Sequence, residues 1–302
     1  MNKIKILVTG SNGLLGQKLT DLLIEDESIE LIATARGSNR HPVSDISGKY
    51  QYIELDITDN ECVKEVLLEV NPQIVIHTAA MTQVDDCEFE KEMCVRLNID
   101  CVEHLAKLSS DLGFRLIHLS TDFIFDGTKP MYTEEDLANP LSYYGWSKLE
   151  AEKKVIKFSN NYAILRTVLV FGKVADMSRS NIMLWSYNTL KDKKPAKVVF
   201  DQFRTPTLAE DLAMGCKLAA LSSEIGIFNI AGKDYLSIYE LVQKIAKMYG
   251  FEMNNIEKVS SSQLSQPARR PPITGLDINK ARNLLGYEPH SLEEGIRICL
   301  GM

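Results

Sequence analysis

Residues 4–16 constrain this chain more than any other stretch. Ile4-Lys5-Ile6-Leu7-Val8-Thr9 reads as a buried strand, and it runs directly into Gly10-Ser11-Asn12-Gly13-Leu14-Leu15-Gly16. A helical pattern follows over 14–25, with Leu15, Leu19, Leu22 and Leu23 on one face. Glycines at such a junction let the backbone turn sharply and approach a ligand with no Cβ in the way. The helix start adds free N–H donors and positive potential, which suits a pyrophosphate. The spacing is G-x-x-G-x-x-G rather than G-x-G-x-x-G, but its place between strand and helix is what gives the motif its meaning. Gly10, Asn12, Gly13, Leu14, Leu15 and Gly16 are the expected phosphate cradle.

The first half of the chain keeps alternating. Strands are expected over 29–34, 50–55, 73–77, 115–119 and 162–170, and helices over 58–70, 88–112 and 142–158, with Gly113 stopping the longest helix. Alternation of this kind predicts parallel βαβ units with right-handed crossovers. The fold class expected is α/β: a Rossmann-type doubly wound parallel sheet over 1–170. Beyond it the pattern loosens. Residues 173–180 are polar and loop-like, 225–230 suggest a short strand, and 237–249 an amphipathic helix. Ser260-Ser261-Ser262, Pro267, Pro271 and Pro272 mark a long irregular segment. A smaller C-terminal α/β substrate-binding domain is expected from 171–202 and 231–302, with 203–230 returning to the first domain.

Composition narrows the partners. With 302 residues, 45% of them hydrophobic, the chain can bury a substantial core. A net charge of -7 argues against nonspecific nucleic-acid binding, which needs a basic face. No run approaches the roughly 18 apolar residues that a membrane span requires, and residues 1–9 are too short an apolar run for a signal peptide. The expected setting is the cytoplasm, with no membrane partner. Cys87, Cys94 and Cys101 recur every seven residues in a helical stretch. Seven helical residues rise about 10 Å, too far for one ion to bridge. These cysteines read as small buried hydrophobes, and no metal is expected.

The end of the second strand bears on cofactor choice. A carboxylate there favours the 2′-hydroxyl of NAD. This chain has Ala33-Thr34-Ala35-Arg36-Gly37 instead. Arg36 is suited to a 2′-phosphate, so NADPH is the expected cofactor, with NADH possible. The alternative is that Arg36 stacks on adenine or faces solvent. Asp56, with Ile57, ends the third strand and is placed to meet the adenine, or only to cap the next helix.

Tyr144 and Lys148 open the helix expected over 142–158, at i and i+4 and so on one face. A free tyrosine titrates near about 10, and a nearby ammonium favours its phenolate. Such a tyrosine can deliver a proton to a carbonyl oxygen as the carbon is reduced. Tyr143 is the rival, but its spacing of five leaves that face. Ser120-Thr121 closes the preceding strand. Strand alternation turns only one of the two towards a site, and Thr121 is the expected partner.

Four segments together resemble the extended short-chain dehydrogenase/reductases, and within them the dTDP-4-dehydrorhamnose reductase family. They are 8–16, 78–85 (Thr78-Ala79-Ala80-Met81-Thr82-Gln83-Val84-Asp85), 119–127 (Leu119-Ser120-Thr121-Asp122-Phe123-Ile124-Phe125-Asp126-Gly127) and 144–148. Leu165-Arg166-Thr167, Asp201-Gln202, Pro206-Thr207, Arg270-Pro271 and Leu276-Asp277 extend the resemblance over nearly the whole chain. The resemblance implies that Thr121, Tyr144 and Lys148 are catalytic. It also implies that Lys148 and Tyr144 meet the cofactor, and that Thr78, Ala79 and Ala80 line it. Thr82, Thr121, Asp122, Phe123, Asn181, Gln202 and Arg270 would contact a dTDP-keto-sugar, with Arg270 suited to its diphosphate. The implied reaction is NADPH-dependent reduction of the C4 ketone of dTDP-4-dehydrorhamnose to dTDP-L-rhamnose. A homodimer stays open as an option.

The related 4,6-dehydratases carry Asp-Glu after the threonine, where this chain has Asp122-Phe123. That difference favours simple reduction over elimination. Three departures from the family pattern stand out. Met81 replaces an aromatic, Arg204 stands where glycine is usual, and Gln17-Lys18 replaces a glutamate tied to a magnesium-bridged dimer. Arg204 before Pro206-Thr207 resembles the regulatory β subunit of methionine adenosyltransferase. A non-catalytic NADP-binding subunit is therefore the alternative, with an NDP-sugar epimerase as a third. His77 and His118 lie in apolar strands and read as packing residues rather than ligands.

Overall fold

A computed structural model describes residues 3–41, 49–177 and 180–301. Part of the loop expected at 173–180 (Ser178 and Arg179) and the first two residues of the N-terminal run lie outside the described residues. Strands β1 (Ile4–Thr9), β2 (Ile29–Ala35), β3 (Gln51–Glu54), β4 (Ile74–His77) and β5 (Arg115–Thr121) form one parallel sheet with Tyr162–Thr167 and Gly226–Asn229. The strand order is β3-β2-β1-β4-β5, then Tyr162–Thr167, then Gly226–Asn229. The expected doubly wound α/β fold is what forms.

Alternation along each strand feeds two cores. Ile6, Val8, Ile74, Ile76, Ile117 and Leu165 face one side. They pack against Leu19 and Leu23 of α1 (Leu14–Leu23) and against Leu212 and Cys216 of the helix Ala209–Leu221. Leu7, Ile32, Val75, Leu116 and Ile164 face the other side. There they meet α2 (Asn60–Val70) and the helices Cys101–Leu112 and Tyr143–Phe158. Both faces are covered, which is why Ile6, Leu7 and Val8 of β1 and Ile74, Val75 and Ile76 of β4 are apolar in unbroken runs.

Two expected elements change form. The helix expected over 88–112 becomes Val84–Phe89, Lys91–Val95, a π-helical turn Arg96–Asp100, and Cys101–Leu112. Glu90 leaves helical geometry, with φ -110° and ψ 57°, and separates the first two pieces. The strand expected over 162–170 stops at Thr167, because Leu169 takes a left-handed φ of 40°. The chain then pairs Val170–Phe171 with Thr207–Leu208 instead.

The later chain builds a third core. It lies among the helices Ile182–Lys191, Ile238–Tyr249 and Leu292–Leu300 and includes Phe171, Met183, Leu241, Ile245 and Ile296. A small sheet orders Leu236–Ser237, Phe203–Arg204, Ile273–Leu276 and Met131–Tyr132. It borrows Met131–Tyr132 from the first half of the chain. Among the described residues no helix is long and apolar enough to cross a membrane.

Candidate active site

Gly10, Thr78 and Asp122 each follow directly on the end of a neighbouring strand, β1, β4 or β5. The strand order reverses between β1 and β4, and open α/β sheets bind ligands at this edge. Gly10 has φ +72°, and a Cβ there would lie 2.8 Å from the backbone nitrogen of Ala79. A Cβ on Gly16 would lie 2.5 Å from the Cα of Ser11. The glycines thus seat the first turn of α1 against its own loop. Gly13 is the N-cap of α1, and no acidic residue occupies that first turn. The half-buried glycine loop and a helix N-terminus without a carboxylate in its first turn fit a dinucleotide pyrophosphate.

Asn12 does structural work beside this cradle. Its Nδ2 donates to the carbonyl of Ser38 at 3.0 Å, and its Oδ1 accepts from Arg40 N at 2.9 Å. It therefore staples the glycine loop to the segment that follows β2. Arg36 is exposed at the head of that segment. Arg40 instead pairs with Asp176 through two contacts of 2.6 and 2.7 Å. Asp56 is half-buried and Ile57 buried just past β3. Burial opposes ionisation of Asp56, but hydrogen bonds from the Thr58 amide and hydroxyl, with Arg36 and Arg96 nearby, lower its pKa overall. The cap of α2 is Asp59, which accepts from Cys62 N, so capping does not explain Asp56.

Thr78 donates its hydroxyl to Thr9 O at 2.6 Å, which holds the 78–80 turn against β1. Ala79 and Ala80 are half-buried, and Thr82 is exposed. Met81 is gripped by Asn98, whose Oδ1 accepts Met81 N at 2.9 Å and whose Nδ2 donates to Met81 O at 3.0 Å. The same Nδ2 lies 3.0 Å from the hydroxyl of Ser147. Asn98 sits in the π-helical turn, a deviation that often marks functional sites. Sequence periodicity gave no sign of that turn.

Tyr144 and Lys148 are both buried near the start of the helix Tyr143–Phe158, whose N-cap is Ser142. The Tyr144 ring packs edge-on to Phe123, with centroids 5.8 Å apart. Cys87 and Cys94 share its buried cluster. Lys148 Nζ lies 3.3 Å from His118 Nε2. Burial pushes the Lys148 pKa down to about 8. His118 stacks on His77 at 5.8 Å, and His77 Nδ1 meets the Thr9 hydroxyl at 2.8 Å. Burial, and secondarily Lys148, holds both imidazoles well below the ordinary histidine range. The two histidines are thus neutral packing beneath Lys148, with His118 accepting from its ammonium.

Strand alternation separates Ser120 from Thr121. Ser120 donates to Glu152 Oε1 at 2.5 Å, and Glu152 pairs with Arg166 at 2.8 Å, all three buried. Thr121 caps the turn Asp122–Ile124 by accepting from Phe123 N at 3.2 Å, and its hydroxyl donates to Asp122 Oδ1 at 3.1 Å. Asp122 is buried. Burial raises its pKa in spite of Arg204, Thr274 and Thr121.

The residues expected on the sugar side are more dispersed in role. Gln202 is buried next to Phe203–Arg204. Asn181 uses its side chain as a helix cap, with Oδ1 accepting from Met183 N and Leu184 N and Nδ2 donating to Gly172 O at 2.7 Å. Arg270 forms a two-pronged pair with Asp85 at 2.9 and 3.1 Å. The Arg270 hydrogen bond holds the Asp85 carboxyl below its usual range. This pair ties the irregular 260–272 segment to the helix Val84–Phe89.

Known proteins share this fold. The model of the RmlD substrate binding domain family matches residues 4–301. Methionine adenosyltransferase 2 subunit beta of Bos taurus is 29% identical over 285 residues, covering 93% of this chain and 82% of that protein. The dTDP-4-dehydrorhamnose reductase of Aggregatibacter actinomycetemcomitans is 27% identical over 307 residues and covers 97% of each chain. The crystal structure of dTDP-4-dehydrorhamnose reductase from Bacillus anthracis in complex with NADP superposes with a TM-score of 0.82 at 28% identity, covering 99% of each chain. The resemblance drawn from the motifs is borne out, and sequence and fold are those of the sugar-nucleotide oxidoreductases. From Ile4 to Gly301 the chain belongs to the RmlD substrate binding domain family.

Proposed function

We propose that this chain is a reductase for the C4 ketone of a nucleotide-activated 6-deoxy-4-keto-hexose, with dTDP-4-dehydrorhamnose as substrate and dTDP-L-rhamnose as product. The observation that carries the reading is the shared edge of the sheet. Tyr144 and Lys148 open one helix there, Thr121 ends β5, and the glycine cradle follows β1. A bound dinucleotide supplies hydride to the ketone carbon. NADPH is favoured by Arg36 and by the NADP complex of the Bacillus anthracis relative.

The protein's own groups then have separate tasks. Gly10, Asn12, Gly13, Leu14, Leu15 and Gly16 hold the pyrophosphate, while Arg36, Asp56 and Ile57 flank the adenosine end. Thr78, Ala79 and Ala80 line the inner part of the site. Thr121 orients the carbonyl, Tyr144 delivers the proton to its oxygen, and Lys148 steadies the phenolate that remains. Thr82, Asp122, Phe123, Asn181, Gln202 and Arg270 surround the sugar nucleotide. The dinucleotide unit is residues 1–170 with 203–230, and 171–202 with 231–302 form the substrate unit. The protein works in the cytoplasm, as a monomer or homodimer.

Tyr144→Phe tests the mechanism. It should remove at least about 99% of NADPH consumption with the 4-keto-sugar and leave NADPH affinity within about twofold, because general acid catalysis contributes roughly 10²–10⁴. Near-normal turnover in the variant sinks the mechanism. A second reading has its own support, since methionine adenosyltransferase β subunits are relatives at 29% identity. If the intact protein binds NADPH, reduces no keto-sugar and forms a tight complex with a methionine adenosyltransferase catalytic subunit, the subunit reading replaces the reductase.

A further inference from the structure

Arg204 stands where the family pattern usually has glycine, and it is only 3% exposed. Burying a guanidinium is costly unless its donors are used. Here they are. Nη1 donates to the carbonyls of Phe203 at 2.7 Å and Pro272 at 3.1 Å, and Nη2 to Pro271 O at 2.7 Å. Nε lies 3.6 Å from Asp122 Oδ2, and the group stands over the Phe123 ring, 5.9 Å from its centroid. One planar fork thus gathers the distant Pro271-Pro272 segment and the carboxylate beside Thr121.

The diproline needs such a grip. Pro271 and Pro272 have no N–H to give to a ladder, so they are held through their carbonyls. Pro272 O also accepts from Phe203 N at 2.8 Å. On the other side Gly127 closes in, since a Cβ there would lie 2.7 Å from Pro272 N. Arg270 comes just before the wedge and reaches Asp85, while Thr274 comes just after it and donates to Asp122 Oδ2 at 2.5 Å.

We propose that Arg204 is a positioning residue that locks the 268–274 arm to the Thr121-Asp122-Phe123 turn. It thereby fixes the placement of the Arg270 guanidinium relative to the Thr121 hydroxyl. The roles of those two residues rest on the function proposed above; the lock itself does not. Three of the five N–H donors of Arg204 are given to protein carbonyls, so its fork serves the arm and not a ligand.

The test compares the full-length protein with Arg204→Met and Arg204→Lys. Hydrogen exchange is followed by mass spectrometry, binding of dTDP and NADPH by separate titrations, and turnover by kcat and KM. In Arg204→Met, exchange over 270–276 should quicken about tenfold while β1 and β5 keep wild-type protection. The dissociation constant for dTDP and the KM for the keto-sugar should rise about tenfold, with NADPH affinity within about twofold. Arg204→Lys should fall between, because an ammonium keeps the charge beside Asp122 but loses the fork. Wild-type exchange over 270–276 overturns the proposal, and so does exchange that quickens equally in β1. If the wild-type protein binds no dTDP, the substrate reading fails while the exchange result still decides the lock. If Arg204→Met does not fold, Arg204→Lys carries the same comparison, and unchanged exchange there is a refutation.

Discussion

Burial brings Lys148 down to about 8 from the 10.5 of a free side chain. Between those values an unfolded chain holds a proton that the native protein has released. Stability from this group therefore rises with pH across that window, and below pH 8 the full cost of a buried ammonium is present. Lys148→Met should stabilise the protein at pH 7 by roughly 1–3 kcal/mol, the order set by a shift of this size, and should abolish turnover. Activity should run the other way. In the wild type, kcat/KM should fall as pH rises through about 8 and the ammonium is lost. Urea melts and a pH–rate profile check both, and a variant destabilised at pH 7 contradicts the argument. The spacing of Tyr144 and Lys148 was legible in the sequence because a helix fixes which residues share a face. The contact between Lys148 and His118 was not, because it depends on which strand lies under which helix.

The helix Tyr143–Phe158 is aimed at the site by a buried ionic pin that motif reading passed over. Glu152 accepts from Arg166 Nε at 3.0 Å and Nη2 at 2.8 Å, and Ser120 adds a hydroxyl. Arg166 also stands 5.3 Å from the centre of the Phe125 ring and reaches the Glu134 carbonyl. An arginine inside Ile164-Leu165-Arg166-Thr167 is the one signal the sequence offered, since an unpaired charge does not survive in such a strand. Removing one partner of a buried pair leaves the other charged and unsolvated. Glu152→Gln should cost about 3–5 kcal/mol in urea unfolding, and a loss below about 1 kcal/mol would show that water reaches Arg166. At this same scale the π-helical turn inside the helix expected over 88–112 was illegible. Such a turn inserts one residue and shifts the apolar phase by that residue alone, too little to read over five positions, and it is recognised only by what Asn98 holds, namely Met81 and Ser147.

The alternation of strands with helices made the parallel sheet readable at once, but the sheet is not finished by the first half of the chain. Gly226–Asn229 forms its outer strand beside Tyr162–Thr167. The helix Ala209–Leu221 covers the face formed by Ile6, Val8, Ile117 and Leu165. Lys18 of α1 reaches Glu210 of that helix at 2.9 Å, and Lys217 reaches Asp26 at 2.7 Å. Sequence pattern alone suggested that 203–230 returns to the first domain, but it could not show what that segment covers. A chain cut after Phe171 would leave Leu19, Leu23 and Leu165 on an uncovered apolar face, although every glycine of the cradle is still present. At about 25 cal/mol per Å² of lost burial, exposing such a face outweighs the 5–15 kcal/mol by which a domain is stable. The fragment 1–171 should therefore melt without a cooperative transition and should show no measurable NADPH binding by calorimetry. Adding a separate 172–302 fragment should restore part of both signals, because the missing helix and strand would then be supplied in trans. A fragment 1–171 that melts cooperatively and binds NADPH on its own would show that one face of this sheet can stand in water, and that the return of the chain serves the substrate side alone.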